Sequence, residues 1–329
     1  MSTPGKPDAP AASRTAIEGG EAIRYRVRHV TAYRYQSSVV LAHHLLHLKP
    51  RPHPDQALAA CRIEISPQPS VIHAYADCFG NEVTYLSLQE PHLDLTIESR
   101  LELERKPSPG LDLAATPSWE ELRARLAVAA EAGPRRAAGF AYASPRIPKL
   151  AALAEYAAPS FPNGRPVGLA AIDLMERIHR DFVFDPAATT VSTPLDEVLA
   201  TRRGVCQDFA HLQIGCLRAI GLAARYVSGY LRTAAPAGAP RLQGADASHA
   251  WLAVWCGADG WLDLDPTNNQ LAGLDYLTLA WGRDYDDVSP VRGILFGGGA
   301  NQLAVKVDVE PISAPSAEPN PTSLPYATG

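Results

Sequence analysis

The apolar residues of this chain change their period once, and that change bounds the folds open to it. From residue 23, "IRYRVRHVTAYRY" puts Ile23, Tyr25 and Val27 at every second position, the spacing of a strand. "VVLAHHLLHLKPRP" continues in extended form until its prolines, and "LAACRIEISPQP", "VIHAYAD", "EVTYLSLQ" and "LDLTIESRLELERKP" follow with the same texture. Between them "DCFGNEV" reads as a tight turn, because Gly80 and Asn81 tolerate positive φ. From residue 118 the period lengthens. "SWEELRARLAVAAEA" opens with Ser118 three residues before Glu121, a capping box. Pro145 and Pro148 delay a short helix to 149–157, and Leu169, Ile172, Met175 and Ile178 recur at helical spacing. "TPLDEVLATRRG" reads as a helix started by Thr193 and Pro194 and stopped near Gly204. Strand texture then returns in "AARYVSGYL", "SHAWLAVWC", "GWLDLDPT" and "VRGILFGGGANQLAVKVDVEPI". The expectation is an α+β chain: an all-β domain over 21–106, a linker over 107–117, and a domain over 118–311 in which helices precede antiparallel strands. The small, polar, proline-rich ends, 1–20 and 312–329, are expected to be flexible.

Composition excludes several classes of function. With 46% apolar and 20% charged residues the chain can build a real core. A net charge of -5 and no long basic run leave no electrostatic case for nucleic acid. No apolar run approaches the roughly 18 residues a spanning helix needs. Residues 1–20 contain no continuous apolar segment of the kind an export signal carries, so no membrane association and a cytoplasmic location are expected. The five cysteines, Cys61, Cys78, Cys206, Cys216 and Cys256, are odd in number and lack CxxC spacing, which fits reduced thiols.

One of those thiols stands apart. In "GVCQDFAHLQIGCLRAIG", Phe209, Leu212, Cys216, Leu217 and Ile220 fall on one broad helical face, so Cys216 belongs with the core. Cys206 stands just past a glycine at the helix mouth, where unpaired amides and the helix dipole stabilise negative charge. His249 begins one strand and Asp265 ends the next, so adjacent antiparallel strands can bring an imidazole and a carboxylate together. These residues alone leave two readings open, a nucleophile with its base or a small buried cysteine beside a structural His and a turn-forming Asp.

"TRRGVCQDFAHLQIGCLRAIGLAARYVSGYL", "ASHAWLAVW" and "GWLDLDPTNN", in that order, resemble the bacterial branch of the transglutaminase-like superfamily of papain-like thiol enzymes. "YRVRHVTAYRYQSSV", "LHLKPRP" and "DCFGNEV" resemble the N-terminal β domain that accompanies it, so the likeness runs from about residue 23 to 311. The resemblance implies a helix bearing the nucleophile packed on an antiparallel sheet. By position it implies Cys206 as nucleophile, His249 as base and Asp265, before Pro266-Thr267, as third member; Asp263 lacks that Pro-Thr context. Family members commonly carry an acidic residue two positions after the Trp of the His motif, where this chain has Ala253.

The expected activity is hydrolysis of an amide or peptide bond through an acyl-enzyme, with no metal or organic cofactor called for. The alternatives are acyl transfer to an amine and a non-catalytic binding or assembly protein. The partner expected is a peptide or amide substrate, and the edge strands of the β domain leave room for a homodimer. The Cys206 N–H is the natural first oxyanion donor, with a second from the Gln207 neighbourhood or the preceding region. Asp208 is expected to tie down a nearby loop, His211 to face another side, and Ser228 and Tyr230 to offer hydroxyls to a substrate. The "HHLLH" run at 43–47 does not read as a metal site, because His43 and His47 would lie well over 10 Å apart on a strand.

Overall fold

The computed structural model describes residues 21–129, 132–233 and 248–312. The expected flexible ends, and most of the polar loop that follows "RYVSGYL", lie outside them.

The first five strands are β1 (Ile23–Leu46), β2 (Gln56–Ser66), β3 (Val71–Ala76), β4 (Glu82–Leu88) and β5 (His92–Arg105). They form an antiparallel sheet in the order β2-β5-β1-β4-β3. The alternation read from the sequence decides which way β1 faces: Tyr25 and Val27 are wholly buried, while Arg26 and Arg28 reach Glu102 and Glu98 of β5 on the other side.

The second unit begins with α1 (Trp119–Val128), whose first turn is capped by the Ser118 hydroxyl accepting from the Glu121 N–H at 3.3 Å. Then come α2 (Ala132–Ala138), α3 (Ala151–Ala157), α4 (Val167–Asp181), the two-residue β6 (Val183–Phe184), α5 (Leu195–Thr201), β7 (Arg203–Gly204) and α6 (Cys206–Ala219). The strands β8 (Ala224–Leu231), β9 (Ser248–Trp255), β10 (Trp261–Asp265), β11 (Gln270–Leu271) and β12 (Tyr276–Gly282) make an antiparallel sheet ordered β11-β10-β9-β8-β12. Helix α6 is buried from Asp208 to Arg218, held between that sheet and α3, α4 and α5. Gly215 makes this packing possible, because a Cβ there would meet Leu153 at 2.9 Å. Arg218 is the cation inside this core. Its guanidinium donates to the carbonyls of Phe140, Ala224 and Arg283 at 2.8, 2.8 and 2.7 Å, which satisfies a group that burial would otherwise make costly.

The last two strands, β13 (Val291–Gly297) and β14 (Asn301–Ile312), correct the expected domain boundary. The stretch up to 311 was expected to close the second domain. Instead both strands pair antiparallel with β1, β14 along its first half and β13 along its second, so these last described strands belong to the first sheet. Their alternating pattern suits either sheet, and only the long-range pairing decides.

The two units are fastened at β12, an edge of the second sheet. Gln56 bonds the backbone of Thr278 both ways, at 2.8 and 2.9 Å, and Asn81 does the same to Trp281 at 2.9 and 3.0 Å. Two side-chain amides thus occupy an edge that would otherwise offer free donors and acceptors. Arg51 and Arg225 lie over the Trp281 ring, 3.2 and 3.5 Å from its centroid.

Candidate active site

Helix α6 starts at Cys206, and the thiol is half-buried at the mouth of a cleft. Asp208 sets that start. Its carboxylate accepts from the Val205 N–H at 2.8 Å and the Thr189 hydroxyl at 2.7 Å, pinning the incoming loop to the first turn. Gly204 is required beside it, since a Cβ there would come within 2.7 Å of Asp208 Oδ2. Asp208 is 2% exposed and faces the loop.

His249 and Asp265 come from adjacent strands β9 and β10, and His249 Nε2 lies 2.7 Å from Asp265 Oδ2. Cys206 lines the same cleft as the imidazole. Burial by itself lowers the pKa of His249. The bond to Asp265 and the neighbouring Cys206 outweigh it and push the pKa up to about 10. Asp265 is fully buried, yet its carboxyl is held below the usual carboxylate range. Burial opposes this, and His249, Asn268 and Tyr276 overcome it. The Asn268 amide and the Tyr276 hydroxyl each donate to Oδ2 at 2.7 Å, and the Thr267 N–H donates to Oδ1 at 2.9 Å. Asp263 does not reach the histidine. It accepts the Trp251 indole N–H at 2.9 Å, and the Trp251 ring packs along that of His249, centroids 6.3 Å apart. Gly229 gives the indole its room, because a Cβ there would meet Trp251 at 2.6 Å.

The remaining residues singled out in the sequence disperse. Gln207 lines the cleft, with its amide donating to the Val191 carbonyl at 3.2 Å. Ser228 lines the cleft floor. Tyr230 does not present its hydroxyl to a substrate. It is fully buried under β1, with its hydroxyl 2.9 Å from His29 Nδ1, because the first sheet crosses β8 there. His211 accepts from the Tyr285 N–H at 3.1 Å, away from the thiol, and burial drives its pKa down to about 3. Cys216 is fully buried, and burial pushes its thiol up to about 12. In "HHLLH", His43 bonds the Tyr85 hydroxyl, His47 bonds the Ser289 carbonyl, and His44 packs into the first sheet's core.

Residues 160–266 match the family model of the transglutaminase-like superfamily, and 25–104 match that of the bacterial transglutaminase-like N-terminal region. The chain belongs to the transglutaminase-like superfamily. A Mycobacterium tuberculosis protein is 43% identical over 298 residues, covering 88% of this chain and 93% of that one. The crystal structure of a candidate cysteine protease from Cytophaga hutchinsonii superposes with a TM-score of 0.69 at 17% identity, over 90% of this chain and 93% of its own, and so shares the fold. A protein-glutamine gamma-glutamyltransferase of Pseudomonas aeruginosa is 35% identical over 108 residues, 32% of this chain and 16% of that protein.

This transglutaminase-like site also draws on residues beyond those singled out in the sequence. Tyr276 and Asn268 hold the Asp265 carboxylate, and Tyr226 stands on the cleft floor, its pKa driven well up by burial and by Cys206. The N-terminal sheet supplies the facing wall, through His29, Thr31 and Tyr33 of β1 and Leu303 and Val305 of β14. "DLDPTNN" offers Asn268 to a reader of motifs, but a wall contributed by the first and last strands leaves no local trace.

Proposed function

We propose that the protein hydrolyses an amide or peptide bond with Cys206 as nucleophile, His249 as the proton-transfer group and Asp265 as the residue that orients it. The observation that carries this reading is the imidazole bonded to Asp265 Oδ2 at 2.7 Å in the same cleft as the Cys206 thiol at the mouth of α6. The sulfur attacks the carbonyl carbon as its proton passes to His249, and the carbonyl electrons collect on oxygen. The first-turn amide of Cys206 and the Tyr226 hydroxyl, both on residues lining the cleft, are assigned as donors to that charge. When the tetrahedral adduct collapses, the C–N bond breaks and the amine leaves with the proton from His249, which leaves a thioester. Water then adds with His249 as base, the C–S bond breaks, and the carboxylic acid departs with the thiol restored. A screen of peptide and amide substrates tests the proposal: wild type turns over and Cys206→Ala does not, and full turnover by Cys206→Ala overturns it.

The likeness to the Pseudomonas glutamyltransferase supports a second reading, in which an amine takes the place of water at the thioester. Product mass measured with and without a primary amine separates the two.

A further inference from the structure

The face of β14 turned toward the catalytic unit changes character along its length. Val309 and Val307 are 0% and 1% exposed, packed with Tyr25, Val27 and Tyr230 where the two units touch. The next two residues on that face, Val305 and Leu303, are 47% and 55% exposed and line the cleft over Cys206. Tyr33, on the neighbouring strand β1, lines it too. The cleft encloses about 260 Å³, and among the described residues no Lys, Arg, Asp or Glu lines it. Apart from His249, its polar lining is uncharged and includes Gln207, Ser228 and Tyr226. His29 belongs to the same set: burial lowers its pKa to about 4, so it is neutral at physiological pH.

We propose that Tyr33, Leu303 and Val305 form the specificity wall of the thiol site, so that the preferred substrate is uncharged and carries an apolar group flanking the scissile amide. Two apolar side chains left half in water beside a nucleophile lower their hydration cost only when a substrate covers them. A charged substituent entering the same space loses water and finds no described Lys, Arg, Asp or Glu to pair with, while the charge of the His249 imidazolium is already met by Asp265. The first sheet is thereby a working part of the active site. This inference rests on Cys206 being the reactive thiol, and its test separates the two claims.

Cys206 is alkylated by iodoacetamide, by N-benzyl-iodoacetamide and by N-(4-carboxybenzyl)iodoacetamide, with site-resolved mass spectrometry giving the rate at each cysteine. In each reaction the sulfur forms a C–S bond and iodide leaves, so only the flanking group differs. In wild type the benzyl reagent is expected to react at Cys206 about tenfold faster than either of the others, the discrimination a small apolar contact provides. In Leu303→Ser/Val305→Ser the three rates converge to within about twofold of one another. The isosteric Val305→Thr shows part of this loss and guards against a fold defect in the double variant, and Ile294→Ser, an exposed residue of β13 outside the cleft lining, shows none. No benzyl preference in wild type, or one that survives the double substitution, overturns the wall. If iodoacetamide attacks Cys206 no faster than the exposed Cys78, the reactive thiol itself fails instead.

Discussion

Asp263 and Asp265 share one face of β10, and their hydrogen-bond partners separate them. Asp265→Asn keeps the shape but removes the charge that holds the imidazole, so kcat/KM is expected to fall on the order of 10²–10⁴-fold. Asp263→Asn retains an acceptor for the Trp251 indole and is expected to stay within a few-fold of wild type. The pH dependence of stability follows from His249. Its folded pKa, about 10, lies above the ordinary 6.5, so its contribution is fully present below 6.5 and is lost as pH rises toward about 10. The difference in Tm between wild type and His249→Asn should therefore shrink over that window, and a difference that stays flat refutes the assignment. At this scale the sequence was informative where helical phase applied, since it separated Cys216 from Cys206. It was silent on Tyr276, which reaches the site from β12, and wrong on Tyr230. That residue shares the strand face of Ser228, but β1 lies over it, and nothing in "RYVSGY" records β1.

Helix α6 depends on a loop for its working end. The Asp208 carboxylate joins the Val205 amide and the Thr189 hydroxyl, so one side chain both caps the helix and fixes the segment before it. Asp208→Ala is expected to lower stability by about 1–2 kcal/mol in chemical denaturation. The same variant should slow alkylation of Cys206, whereas Thr189→Val should show a smaller effect on both measures. Gly204→Ala reaches the same outcome by another route, because its methyl would displace the carboxylate. The existence of these elements was legible from local pattern: α1 starts at its Ser118 cap, α5 begins after Pro194, and β10 stops before Pro266. The helix expected at 149–157 begins at Ala151, because Leu150 is extended (φ -120°, ψ 132°) and serves as its N-cap.

Across the whole molecule the first sheet cannot be complete without the last 22 described residues, Val291–Ile312, which pair with β1 along nearly its full length. A chain ended at residue 290 leaves Tyr25, Val27 and the rest of that face without β14, and is expected to be insoluble or to be digested rapidly by protease within 21–106. Asn81→Ala, by contrast, removes one of the two amide clasps on β12 and should lower Tm while leaving a soluble protein. The domain limits read from the sequence missed this closure because strand pairing between distant segments has no periodicity of its own. The pairing of Thr31 with Val305 also has a consequence during synthesis. At ~5–20 residues per second a ribosome takes roughly 14–55 s to travel from one to the other. For that interval Cys206, His249 and Asp265 emerge in turn beside a wall that does not yet exist. Selectivity comes later than the catalytic side chains, and only once Leu303 and Val305 have been made.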